Sequence, residues 1–425
     1  MPHLHSTSLV CCLTSTIVAL LATVQQAVGQ PEVAKAMVDA AVSHKSIEVL
    51  RSAKFPFGGS LLDSTEFQTP LTREDASRAL EILLGHLRKQ RELVRRKEFD
   101  DKQLSIGELN MRFEYHVFGE APQGGRSLFI SMHGGGEMEA EVNDKQWRNQ
   151  IRLYQPTEGV YVAPRAPTNS WNLWHHAHID DFFSTLIEDF VLFENVNPNR
   201  VYLMGYSAGG DGVYQVAPRM ADRLAAAAMM AGHPNEAEPL GLRNIGFAIH
   251  VGELDTAFNR SEVAKKWSER LDQLREKDPD GYVHTLKLHK GKGHWMDRED
   301  AEAVAWLASF QRNPLPRRVV WKQDDVTHER FYWLAVPTGT AKAGALVTGS
   351  IRGQQIDIES PDVTELIVRL RDDLVDMDQD ITISFNAKVV FSGQVYRTIA
   401  MILRSLEERA DPTCAFSAEV HISSE

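Results

Sequence analysis

The rhythm of apolar and polar positions changes along the chain, and each change marks a boundary. An apolar stretch covers residues 9–24, followed by polar Gln25-Gln26 and small residues at Ala27 and Gly29. That order is the order of a secretory signal, so residues 1–29 are read as a signal peptide and the protein as secreted or periplasmic. The stretch falls short of the roughly 20 apolar residues that cross a bilayer, and no membrane span is expected after cleavage. Ahead of it stand His3 and His5 but neither Lys nor Arg, a departure from the usual signal.

Residues 30–108 are helical and charge-rich in pattern. Leu80, Leu83, Leu84 and Leu87 recur at helical spacing among Arg, Lys and Glu across residues 73–97, which predicts an amphipathic helix. Both a helical preamble packed on the main domain and a solvated helical linker fit this pattern. From residue 109 the texture becomes short apolar runs alternating with longer amphipathic stretches. Strands are predicted at 111–117, 127–132, 160–163, 201–204, 225–230, 246–251 and 283–288, with helices at 179–194 and 261–277. Alternation of this kind predicts an α/β domain over 109–312, an open doubly wound and mostly parallel sheet whose active groups sit at the carboxyl ends of the strands. Pro314 and Pro316 then interrupt both periods, and 312–318 reads as a linker. Residues 317–425 read as a small β-rich C-terminal domain, with strands at 331–336, 345–351, 366–370 and 381–391, a hairpin turn at Asn386, and a closing helix at 397–409.

Composition narrows the function. The 425 residues are 43% hydrophobic and 24% charged, as in a soluble protein of two or three domains, and the formal net charge is -12. An acidic balance argues against nucleic acid as a partner. Cys11 and Cys12 would leave with the signal, so the remaining Cys414 forms no intramolecular disulfide and reads as a small buried apolar residue.

Candidate chemistry sits where the predicted strands end. Gly205-Tyr206-Ser207-Ala208-Gly209 follows a strand and precedes a helix, the setting in which G-x-S-x-G lifts a serine hydroxyl on a strained turn. His133-Gly134-Gly135-Gly136 ends another strand, where the amides of Gly135 and Gly136, together with that of Ala208, would form an oxyanion hole. A serine hydroxyl needs a base. Among sixteen histidines, His294 in Gly291-Lys292-Gly293-His294-Trp295 fits best, while His250 and His289 read as strand positions. The base in turn needs a carboxylate. Asp255 is preferred because it lies in the turn after strand 246–251 and keeps the chain order Ser, Asp, His, with Glu253 and Asp297 as rivals.

Glycine triplet, elbow, acid loop and Gly-x-Gly-His loop together resemble those of α/β-hydrolase esterases over residues of about 110 to 310. The chain is most similar to secreted esterases of the phospholipase/carboxylesterase and dienelactone-hydrolase-like type, including relatives of polyhydroxybutyrate depolymerases. The resemblance implies hydrolysis of a small-molecule or polymeric carboxylic ester through an acyl-enzyme, without a cofactor. It does not extend to the C-terminal domain, for which contact with carbohydrate or the cell envelope is an open role. A serine peptidase of the same fold, or a binding protein with a vestigial site, are the alternatives.

Further residues invite a functional reading. Trp171, Trp174 and His175 lie in a loop after a strand and, with Tyr206, are candidates for the substrate pocket, with ordinary packing as the equal alternative for the tryptophans. His175, His176 and His178 lack the ligands to complete a metal site. Asp376, Asp378 and Asp380 mimic the start of a calcium loop, but Ile381 stands where Gly is required, so a solvated acidic turn is expected. No metal is predicted.

Overall fold

The computed structural model describes residues 31–52 and 64–424; the signal segment 1–29 lies outside them. The chain enters through helices α1 (Pro31–Ser52), α2 (Thr65–Gln68) and α3 (Arg73–Asp100). Thr72 caps α3 by accepting from the Asp75 amide, and Glu74 and Asp75 place negative charge in its first turn. The apolar stripe of α3 packs on two bodies. Ala79, Leu83 and Leu87 meet residues 399–406 of the C-terminal helix, whereas Phe99 packs edge-on against Phe190 and Arg95 holds Asp189 at 2.9 Å in the central domain. The preamble therefore bridges the central and C-terminal domains, and the linker alternative falls away.

Eight strands form the central sheet: β1 (Gln103–Ile106), β2 (Leu109–Phe118), β3 (Arg126–Met132), β4 (Gly159–Pro164), β5 (Val196–Tyr206), β6 (Ala226–Met230), β7 (Gly246–Gly252) and β8 (His284–His289). Their order is β1-β2-β4-β3-β5-β6-β7-β8, antiparallel at β1 and β2 and parallel from there on. Around them lie α4 (Ala140–Gln150), α5 (Ala177–Phe193), α6 (Ala208–Arg219), α7 (Arg260–Lys277) and α8 (Glu302–Ala308). Alternate strand residues feed opposite faces. Leu128, Ile130, Leu203 and Ile249 pack with α5, α6 and α7, while Phe129, Tyr161, Tyr202 and Met204 pack with Val304 and Leu307 of α8. Burial on both faces is why β4, β6 and β7 read as continuous apolar runs.

Strand β1 and helix α4 are among the elements that the sequence pattern does not show. Strand β1 pairs with β2 inside the segment 30–108 taken as helical, so the sheet begins at Gln103; its four residues bury only Leu104, too few to show a period. Helix α4 buries Asn143, Trp147 and Gln150, and polar residues on its inner face hide its amphipathicity.

The C-terminal domain has two sheets. One orders β16-β15-β13-β12-β9, from β9 (Arg318–Lys322), β12 (Leu346–Arg352), β13 (Gln355–Glu359), β15 (Ile381–Phe385) and β16 (Lys388–Gly393); the other orders β10-β11-β14-β17, from β10 (Arg330–Phe331), β11 (Leu334–Ala335), β14 (Glu365–Leu370) and β17 (Ala418–Ser423). Asn386 and Ala387, at φ of 49° and 64°, make the tight turn between β15 and β16. Helix α9 (Ile399–Arg409) does not close the chain, because β17 returns afterwards to pair with β14. Arg312 is not a free linker residue either. It is 4% exposed, binds Asp411 at 2.5 Å and holds Asn199 Oδ1 through Nη2 at 2.7 Å. Among the described residues no helix is long and apolar enough to cross a membrane.

Candidate active site

Strand β5 ends at Tyr206 and α6 begins at Ala208, so the whole reversal falls on Ser207. Its backbone sits at φ 58° and ψ -121°, a conformation that costs on the order of 1–3 kcal/mol and persists only where the surroundings enforce it. Here they do: the Ser207 amide donates to Met230 O and its carbonyl accepts from the Asp211 amide, each at 2.9 Å. Glycine is obligatory on either side. A Cβ at Gly205 would lie 2.2 Å from Gly209 O, and one at Gly209 would lie 2.2 Å from Met132 O.

The loop after β8 brings His294 to this serine, with Nε2 3.0 Å from Ser207 Oγ. Tyr206 fixes the loop by donating from its hydroxyl to His294 O at 2.6 Å and accepting from the Met296 amide at 3.1 Å. Burial pushes the Tyr206 phenol well up, so it stays a neutral donor. On the other side of the ring, Nδ1 lies 2.8 Å from Asp255 Oδ2. Asp255 is 2% exposed, and its backbone is held by Gly252 and Ser261 in the turn after β7. The rivals are engaged elsewhere: Glu253 accepts from the Gly291 amide at 2.9 Å, and Asp297 pairs with Lys292 at 2.8 Å.

The glycine run passes directly beside the nucleophile candidate, for a Cβ on Gly134 would stand 3.1 Å from Ser207 Cβ. One expectation about it needs correcting. The Gly136 amide already donates to Asn143 Oδ1 at 2.9 Å, which leaves Gly135 and Ala208 as the candidate oxyanion donors. Gly135 sits at φ 115° with Asn143 Oδ1 2.2 Å from where its Cβ would be, so no other residue fits. His133, named from the sequence as the head of the run but given no role of its own, anchors it. Burial lowers it to about 3, so it is neutral. Its Nε2 accepts from the Ala166 amide at 3.1 Å, which puts the proton on Nδ1, donating to Gly134 O at 2.6 Å. A polar ring closing an apolar strand was the available signal.

Residues 163–311 match the model of the dienelactone hydrolase family. The central domain has the α/β-hydrolase fold. No curated protein matches the chain. Among solved structures, a thermostable esterase is 19% identical at a TM-score of 0.38, covering 49% of this chain and 62% of that one. A ferulic acid esterase is 15% identical at 0.35, covering 49% and 95% respectively. A poly(3-hydroxybutyrate) depolymerase from Bordetella parapertussis is 14% identical at 0.35, covering 50% and 88%.

The cleft at this site, about 530 Å³, is lined beside Ser207, His294 and Tyr206 by Gln146, Arg152, Leu153, Trp295 and Arg298. Neither arginine makes a hydrogen bond or ion pair through its side chain with a described residue, so the rim is cationic although the chain is acidic. Three of the four pocket candidates lie outside it. Trp174 is fully buried in the core and donates from Nε1 to His133 O at 2.9 Å, bracing the glycine run from behind. Trp171 is 54% exposed and meets His175 edge-on away from the cleft, and burial lowers His175 to about 4. The loop after β4 runs behind Gly136, whose Cβ would stand 2.9 Å from Trp171 O, and so it supports the site without opening onto it. Asp211 accepts from the His233 amide at 2.6 Å, and burial raises its carboxyl to about 6. The acidic turn is not merely solvated: Asp376 pairs with Arg73 at 3.3 Å and Asp378 with Arg397 at 2.7 Å.

Proposed function

We propose that the protein hydrolyses carboxylic esters, with Ser207 as nucleophile, His294 as general base and Asp255 as the carboxylate that orients it. The observation that carries this reading is the unbroken hydrogen-bonded series from Ser207 Oγ through both ring nitrogens of His294 to a buried carboxylate, at 3.0 and 2.8 Å. Because Nδ1 faces the carboxylate, it carries the proton, and Nε2 is free to accept from the serine. Attack on the ester carbonyl passes the Ser207 hydroxyl proton to His294 Nε2, and Asp255 balances the charge on the ring. The carbonyl oxygen, now negative, is met by the Gly135 and Ala208 amides, each donor worth roughly 2.7–4 kcal/mol in the transition state. His294 then protonates the departing alcohol, and water repeats the cycle to free the acid.

Arg152 and Arg298 on the rim favour an ester that also carries polar or anionic groups. The export reading rests on the apolar segment 9–24 and the polar and small residues at 25–29 that follow it. A hydrolysis panel tests the activity: aryl and alkyl esters, acetylated sugars and peptide anilides against the wild type and Ser207→Ala. Turnover of esters that collapses in Ser207→Ala is expected. Faster cleavage of the anilides would make the protein a peptidase, and unchanged ester turnover in Ser207→Ala would remove Ser207 from its role.

A further inference from the structure

Two buried imidazoles lie outside the proposed machinery. His250 on β7 and His289 at the end of β8 are each 3% exposed, and His250 Nδ1 stands 3.1 Å from His289 Nε2. Glu302, at the start of α8, brings Oε1 to 3.9 Å from the same Nδ1, and the three donor atoms lie within 4.8 Å of one another. We infer that His250, His289 and Glu302 form a divalent-metal site of the zinc class that clasps β7, β8 and α8 below the loops bearing Asp255 and His294.

The geometry fits a tetrahedral ion. Two nitrogens bound at about 2.0–2.1 Å and near-tetrahedral angles lie roughly 3.3 Å apart, close to the observed pair. Glu302 has to close on them by on the order of 1 Å to reach a bonding distance of about 2.0–2.2 Å, and its side chain, 48% exposed, is free to do so. Water completes the fourth position. The outer partners are also in place: His289 Nδ1 faces Glu299 Oε2 at 3.4 Å, so Nδ1 carries the proton and Nε2 presents its lone pair inward. Without metal, His250 Nδ1–H fills that lone pair. With metal, the His250 proton moves to Nε2 and Nδ1 becomes a ligand, so neither ring has to ionise.

A cation opposes the site at the third donor. Lys287 lies 3.2 Å from Glu302 Oε1 and neutralises it in the metal-free state. Its side chain is 54% exposed, long and flexible, and it can withdraw to solvent when the ion takes the carboxylate. Glu299, behind His289, is likewise paired, with Lys292 at 2.9 Å, and the site rests on the convergence of the three donor atoms.

Such an ion would stiffen the loops around Ser207 without touching substrate. His289 O accepts from the amides of Glu253 and Lys292, and His250 O accepts from Ala231, next to the residue whose carbonyl holds the Ser207 amide. The strand ends that carry Asp255 and His294 are thereby tied to one point.

The test is zinc titration by calorimetry of the full-length protein stripped with chelator, with melting temperature measured in parallel. One equivalent bound at micromolar affinity or better is expected, raising the melting temperature. Losing even an outer partner of a metal ligand costs about 10–100-fold in affinity, so Glu302→Gln should weaken binding at least about tenfold. His250→Asn should abolish it, and Ser207→Ala should leave it intact. Glu302 is half-exposed and its variant is expected to fold, so the test survives if His250→Asn does not. Absence of stoichiometric binding overturns the site, as does binding that Glu302→Gln leaves unchanged. Neither outcome depends on whether esters are cleaved.

Discussion

Replacing Asp255 by Asn separates the role of charge from the role of shape. The side chain is 1% exposed and makes one polar contact, with His294 Nδ1 at 2.8 Å, so an isosteric amide keeps the packing. Two things change. An amide NH2 facing the ring reverses the tautomer, placing the ring proton on Nε2, 3.0 Å from the Ser207 oxygen it must deprotonate. An amide oxygen in that place keeps the tautomer but removes the charge that stabilises imidazolium. At a separation of 2.8 Å and an effective dielectric of about 20, that charge is worth about 6 kcal/mol. This is an upper figure, because the His294 side chain is 43% exposed and water screens it. The expected loss in kcat is therefore about 10³–10⁴-fold, or about 4–5.5 kcal/mol, with little change in KM. Steady-state kinetics on a p-nitrophenyl ester measures it, with Glu253→Gln and Asp297→Asn as controls. Those exposed groups contribute about 1 kcal/mol at most, roughly fivefold. Equal losses in all three variants, or Asp255→Asn retaining more than about a tenth of wild-type kcat, would refute the assignment of the acid.

Three further substitutions probe the frame around the site. Gly205→Ala sets a Cβ 2.2 Å from a backbone oxygen that cannot move aside, and a loss of about 3 kcal/mol or more is expected in chemical denaturation; a stability within error of wild type contradicts the elbow geometry. Burial holds the Asp211 carboxyl at about 6, above its ordinary value of about 3.9. The folded state thus binds this proton more tightly than the unfolded chain, and stability drains away as pH rises from about 4 through about 6. Asp211→Asn should accordingly leave the melting temperature unchanged at acid pH and raise it at alkaline pH; a difference that does not vary with pH contradicts the sign. Arg312→Met strands the buried carboxylate of Asp411, which the guanidinium holds well below the usual range, and should cost about 3–5 kcal/mol.

The central sheet was legible because its strands are buried on both faces and write themselves as apolar runs, and because each chemical motif sits where such a run stops. The elbow was legible for a steric reason: Gly205 and Gly209 admit no substitute. The acid was harder to read. Asp255, Glu253 and Asp297 share neighbouring loops, and only the turn that Gly252 and Ser261 hold decides which carboxylate faces the imidazole. Pocket residues were hardest, since Gln146 comes from α4, whose inner face is polar, and Arg152, Leu153, Trp295 and Arg298 come from loops, while the conspicuous Trp174 is core. The C-terminal domain was read as β-rich but lost β13 and β17, because short strands with one solvated face alternate too briefly to be distinguished from loops, and β9, whose three buried residues follow directly on the stretch 312–318 read as linker. Pro314 and Pro316 suggested a free linker; the burial of Arg312 against residues distant in sequence is invisible to any local pattern.

Reaction of the folded protein with a fluorophosphonate, followed by peptide mass mapping, tests the central claim most directly. The reagent phosphonylates a serine only where a neighbouring base and oxyanion donors activate it. A single adduct on Ser207 is predicted, absent from unfolded protein and lost in His294→Ala. Unmodified Ser207 in folded protein that still cleaves esters, or an adduct on another serine that accounts for the activity, would contradict the account.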